Sequence, residues 1–355
     1  MGRLRRTTAL VAVSIASVLG AGWSPAAAGS TAAENGKVAF SRDGDVYVVE
    51  PDGTGTTQLT DGSAYDSALW SPDGSMLAVI RCCPKKDPGL FAIRVMNANG
   101  PDKRTITGEI RHSIQHADWS PDGTRIAFTD MNFDDPDARA PYPSAIVVVS
   151  VDGSGQTRLT GYPAGNGEPT WSPDGTMLAY TRGDGHDTEV FVMRADGSGK
   201  TQLTDNDVTD LDPEWSPDGT EILYTTSIPA AGGGDAGVAI NVMGTDGTFR
   251  RALTDGSRHD GAARWSPDGS AVLFVGTVFG RQGDVGLWVV NADGTGATRL
   301  TSTDLYPAWS PDGTEITFSR EGNIYVIGAD GTGEARLVGG RAWDAYPDWQ
   351  ALATA

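Results

Sequence analysis

Short apolar runs punctuated by turn residues organise this chain. The runs MLAVI, RIAFT, MLAYT, EILYT, AVLFV and EITFS each follow, one residue on, a WSPDG pentapeptide beginning at Trp70, Trp119, Trp171, Trp215, Trp265 or Trp309. After a variable stretch comes a second apolar run, then a Gly turn such as DGSG at Asp196–Gly199, then TQLT or TRLT. Runs rich in Val, Ile, Phe and Tyr, bounded by Gly, Pro and Asp, read as strands, four to a repeat. Several are apolar at successive positions, as in Ile126-Ala127-Phe128. That pattern predicts small sheets covered on both faces.

The pentapeptide has a physical reading. Pro is preset for the second position of a β-turn, Asp suits the third, and Gly accepts positive φ as the chain rejoins the next strand. The Trp before it offers a large apolar surface to a neighbouring unit. Four-stranded sheets at this repeat length predict an all-β, seven-bladed β-propeller. Second, third and fourth strands occur seven times, starting with KVAF, VYVV and TTQLT, and the seventh first strand is YPDWQ at Trp349. Trp349 therefore completes the blade begun at Lys37, closing the ring without an orphan edge. The propeller is expected over residues 36–351, at about 45 residues per blade, after a short linker at 29–35.

These residues resemble the TolB-like family of WD40-like (PD40) propellers, whose repeats carry a W-S-P-D-G hairpin and a D-G-x-G-x-x-x-L-T hairpin. The resemblance covers nearly all of the chain after its first segment. It implies a β-propeller that works through protein contacts in the cell envelope. Related repeats accompany serine hydrolase domains, but no G-x-S-x-G elbow occurs here.

The first residues add a location. Arg3, Arg5 and Arg6 precede an apolar run from Ala9 to Leu19 and a small-residue segment ending Ala26-Ala27-Ala28. This is the layout of a signal peptide over residues 1–28, so an exported protein is expected: extracellular, periplasmic or cell-wall associated, with no membrane insertion after cleavage. The export route stays open. A formal charge of −19 excludes the clustered basic footprint of a nucleic-acid binder.

The two tight turns of each repeat fall on one face of the disc and the variable loops on the other, where binding residues tend to sit. Three residues before each Trp the repeats carry Ser67, His116, Glu168, Asp212, Ala262, Tyr306 and Tyr346, and two before it only Ala or Pro. The first series, apart from Ala262, supplies candidates for binding a ligand or partner at the channel mouth; relaxed constraint at a solvated rim is the bland alternative. His112, His116, His186 and His259 share this face and could ligate a transition metal, although their spacing matches no metal motif. Asp130, Asn132 and Asp134 alternate oxygen donors as a calcium loop does, without its Gly or terminal Glu. Cys82 and Cys83 leave three states open: a vicinal bridge, free thiols or an intermolecular bond.

The expected function is that of a non-catalytic, monomeric binding module needing no cofactor. Its loop face would meet a protein, peptide or glycan of the envelope. The alternative is a metal-assisted carbohydrate lyase or hydrolase using the histidines with Glu168 or Asp212.

Overall fold

In the computed structural model the described residues are 34–352, without 63–64, 83–89, 109–111, 133–142, 163–164, 184–186, 230–234, 278–284 and 304. They form 28 strands and fall into seven four-stranded sets. The first set holds β1 (Glu34–Arg42), β2 (Asp45–Val49) and β3 (Thr57–Gln58). The second is β4 (Tyr65–Trp70), β5 (Met76–Cys82), β6 (Phe91–Asn97) and β7 (Arg104–Thr105). The third is β8 (Ser113–Trp119), β9 (Arg125–Met131), β10 (Ser144–Ser150) and β11 (Thr157–Arg158). The fourth is β12 (Gly165–Trp171), β13 (Met177–Gly183), β14 (Thr188–Arg194) and β15 (Thr201–Gln202). The fifth is β16 (Asp210–Trp215), β17 (Glu221–Pro229), β18 (Asp235–Gly244) and β19 (Arg250–Ala252). The sixth is β20 (His259–Trp265), β21 (Ala271–Thr277), β22 (Val285–Asn291) and β23 (Thr298–Ser302). The seventh is β24 (Leu305–Trp309), β25 (Glu315–Arg320), β26 (Asn323–Gly328) and β27 (Ala335–Val338). The last strand, β28 (Asp344–Leu352), pairs antiparallel with β1 and completes the first set. Closure by both ends is thus as expected. The ladder reaches two residues further at its start, because Glu34 and Asn35 pair with Leu352 and Ala351 beyond a bulge.

Apolar residues gather in seven cores, each between consecutive blades and each containing one repeat Trp. Trp70 packs with Ala39, Val46 and Val48 of the preceding blade, and Trp349 with Ile324 and Val338. Stability therefore resides in blade-to-blade contact, and truncating one buried Trp to Ala costs about 3–5 kcal/mol. The fourth strands are mostly two residues long and exposed, which limits the outer edge available to another chain.

The pentapeptide turn is built as its residues dictate, with an added role for Ser. The Gly74 N–H donates to the Ser71 carbonyl (2.8 Å). The Asp73 carboxylate accepts from the Ser71 hydroxyl (2.6 Å) and the Ser75 N–H (3.0 Å), while Ser71 Oγ accepts from the Met76 N–H (2.9 Å). The copies differ in surroundings. A Cβ on Gly74 would lie 2.1 Å from the Ala351 carbonyl oxygen, because β28 crosses that turn; one on Gly123 would meet nothing within 4 Å. Both glycines have φ +67°. Gly123→Ala should cost only the left-handed penalty, about 1–2 kcal/mol. Gly74→Ala should cost about 1–3 kcal/mol more from the backbone clash. Urea midpoints of the two variants check this, and equal midpoints would refute it.

Candidate functional site

The first strand of six blades carries a bulge where two residues oppose one. Gln115 pairs with Thr129 and Asp118 with Ala127, so His116 and Ala117 face a single partner residue. The same shift occurs in β12, β16, β20, β24 and β28. At each bulge the residue three before Trp adopts positive φ: His116 47°, Glu168 54°, Asp212 52°, Ala262 50°, Tyr306 61° and Tyr346 56°. None is Gly, so the backbone conformation is imposed by the blade rather than chosen by the side chain. The following Ala or Pro is buried in every repeat.

Ser67 departs from the series. It pairs regularly with Ile80, the irregularity in β4 falling one residue earlier, and its side chain is buried, its hydroxyl without a hydrogen-bond partner among the described residues. It lies outside the series of positive-φ bulge residues.

Three of the expected residues converge. His116, Glu168 and Asp212 line one cavity with Pro169, Thr170, Pro213, Glu214 and Arg264, drawn from blades three to six. Its atom-free space is about 390 Å³, part of it open to solvent. The Glu168 carboxylate accepts the Asp212 N–H (2.7 Å), and the Glu168 N–H donates to Thr129 Oγ1 (3.1 Å). Glu214 accepts the Trp265 N–H (3.2 Å) and faces the Arg264 guanidinium at 3.4 Å. Burial, against the bond from the Asp212 N–H, pushes Glu168 up from the ordinary carboxylate range. Asp212 rises to about 7 through burial and the adjacent Glu168, opposed by Arg264 and His116. Glu214 also rises to about 7 through burial, opposed chiefly by Arg264. Tyr306 and Tyr346, at the equivalent bulges of blades seven and one, form a tilted pair, ring centroids 4.1 Å apart and planes at 44°.

Sequence reasoning missed Glu214 and Arg264, which immediately precede a Trp. Two more carboxylates share that position. Asp118 accepts the Trp171 N–H and Asp348 the Trp70 N–H, each at 2.8 Å, so each ties its blade to the next. Aligning the repeats one residue before Trp (Leu69, Asp118, Thr170, Glu214, Arg264, Ala308, Asp348) displays the signal.

The remaining candidates among the described residues stand apart from the cavity lining. His112 Nδ1 lies 2.9 Å from Asp130 Oδ1, and the Tyr162 hydroxyl donates to Asp130 Oδ2 (2.7 Å), so both oxygens of Asp130 are engaged. Asn132 donates its N–H to the Pro143 carbonyl. His259 opens β20, paired with Thr277 and bridged to Val238. His186 and Asp134 lie outside the described residues. Among the described residues no three His, Cys, Asp or Glu side chains are grouped to hold a metal ion. Cys82 is disulfide-bonded; Cys83, the other cysteine of the chain, lies outside the described residues. No helix among the described residues is long and apolar enough to cross a membrane.

Residues 79–233 match the TolB beta propeller domain family. No curated protein matches the chain in sequence. Among solved structures, TolB from Acinetobacter baumannii aligns over 88% of this chain and 82% of its own, at 19% identity and a TM-score of 0.57. An oligogalacturonate lyase in complex with manganese aligns over 77% and 78%, at 16% identity and a TM-score of 0.61. The oligogalacturonate lyase of Vibrio parahaemolyticus aligns over 82% of each chain, at 14% identity and a TM-score of 0.62. At these identities the likeness is one of fold.

Proposed function

We propose that this chain, whose residues 79–233 carry the TolB β-propeller repeat, is an exported binding module of the cell envelope that recognises a protein through its channel mouth. The observation that carries the reading is the polar cavity built by His116, Glu168, Asp212, Glu214 and Arg264 at the bulges of consecutive blades. Titratable groups brought together from separate blades on a rigid scaffold are what a recognition site requires. The opposite face repeats the same Asp-anchored turns from blade to blade and has no comparable variety.

A test uses the full chain in its own envelope with a photo-activatable phenylalanine at Ala262 or, as control, at Asp246 in an exposed turn. A cross-linked partner at Ala262 and none at Asp246 is expected. Capture at Asp246 alone would sink the reading.

Metal-assisted glycan cleavage is the lesser reading; two structural neighbours are named as oligogalacturonate lyases, one of them in complex with manganese. His112 and His259 are absent from the lining of the cavity that holds His116. The melting midpoint is accordingly expected to stay within a degree or so on chelation. Stoichiometric manganese, with a midpoint that falls when it is removed, would reverse the ranking of the two readings.

A further inference from the structure

The charge on the cavity lining defines what fits. The cavity's atom-free space, about 390 Å³, includes open solvent, so the lining is reachable from outside. Three carboxylates face a single guanidinium. Arg264 reaches Glu214, while neither Glu168 nor Asp212 has an ion-pair partner among the described residues. Both remain partly exposed, so a ligand can reach them. The guanidinium of Arg264, entering from blade six, shows that a planar cation is accommodated against this lining.

We propose that the mouth takes one cationic side chain, an arginine or lysine of a partner polypeptide, seated between Glu168 and Asp212. The inference rests on the binding reading above and names the chemistry of the partner. An incoming cation adds to the opposite charge that Arg264 and His116 already direct at Asp212, and supplies it to Glu168. It favours their ionised forms, so binding strengthens as they deprotonate. The charged groups facing Asp212 are Glu168, Glu214, Arg264 and His116.

The experiment is calorimetry on the full chain with three capped pentapeptides, Gly-Ser-X-Ser-Gly, in which X is arginine, its uncharged isostere citrulline, or glutamate. The arginine peptide is expected to bind at least about tenfold more tightly than the citrulline peptide, and more tightly at pH 8 than at pH 6. Asp212→Asn should remove most of that preference while leaving the melting midpoint at pH 6 no lower than that of the unchanged chain. Equal binding of arginine and citrulline, tighter binding of glutamate, or no binding by any peptide overturns the proposal. If cross-linking at Ala262 still captures a partner in that event, the cation assignment alone has failed; if it captures none, the binding reading falls with it.

Discussion

A chain ending at Arg341 is expected not to fold cooperatively, although it loses only one strand of the 28. That strand, β28, is the partner of β1 along its whole length, and without it Val38 and Phe40, both fully buried, lie on an open edge. Trp349 leaves the core between the last and first blades. The bidentate pair between Arg42 and the buried Asp344 (2.6 and 2.8 Å) disappears. So do the bonds from the Trp70 N–H to Asp348 and from Gln350 Nε2 to the Gly74 carbonyl, which carry the closure into the second blade. Loss of Trp349 alone is worth about 3–5 kcal/mol, a large part of the 5–15 kcal/mol that sustains a domain. The truncated protein should show no sharp thermal transition and should aggregate through β1. A synthetic peptide of residues 342–352, added during refolding, should restore the transition. A sharp transition without the peptide would show that the ring does not depend on this strand.

Stability should be greatest in mild acid, with the melting midpoint falling as pH rises from 5 to 8. Burial raises Asp212, Glu214 and Asp348 each to about 7, for Asp348 against the bond from the Trp70 N–H. A carboxyl whose folded pKa is raised contributes stability that is fully present below its unfolded value, near 4. That contribution is lost as pH climbs through the folded value. The turn carboxylates act in the opposite direction. The Ser172 hydroxyl holds Asp174 below its ordinary value, and at Asp122 and Asp218 burial is outweighed by bonds from the neighbouring Ser and Thr. Their contribution is present above about pH 4 and lost below it. Asp348→Asn keeps an oxygen to accept the Trp70 N–H and removes the charge. It should raise the midpoint at pH 8, by an amount corresponding to at most about 4 kcal/mol at 1.4 kcal/mol per pH unit, and change little at pH 5. A midpoint equally pH-dependent with and without Asp348 would contradict this account.

Most of the architecture could be read from Trp and Gly. Six identical pentapeptides mark strand ends, and the unpaired YPDWQ segment exposes the closure, because a strand left over at one terminus requires a gap at the other. The series three residues before Trp was legible once the repeats were aligned, since equivalent places held different side chains. Two things were not. The bulge cannot be seen in residue types when His, Glu, Asp, Ala and Tyr all occupy it. A period of two places Glu214 with Asp212 and Arg264 with Ala262, so that pair was within reach of an alignment extended to the residue before Trp. The bonds of Asp130 to His112 and Tyr162, 18 and 32 residues away, follow no repeat and had no sequence signature.

The imposed positive φ at the six bulges has a practical meaning. Where the blade, not the side chain, sets the backbone, positions 116, 168, 212, 262, 306 and 346 behave as sockets for interchangeable parts. A residue can be exchanged there without disturbing the seven cores, which lie on other residues except for one flanking contact from Ala262. Glu168 is a further exception in part, since its carboxylate also holds the Asp212 N–H. A library randomised at the other five would sample new specificities on an unchanged frame.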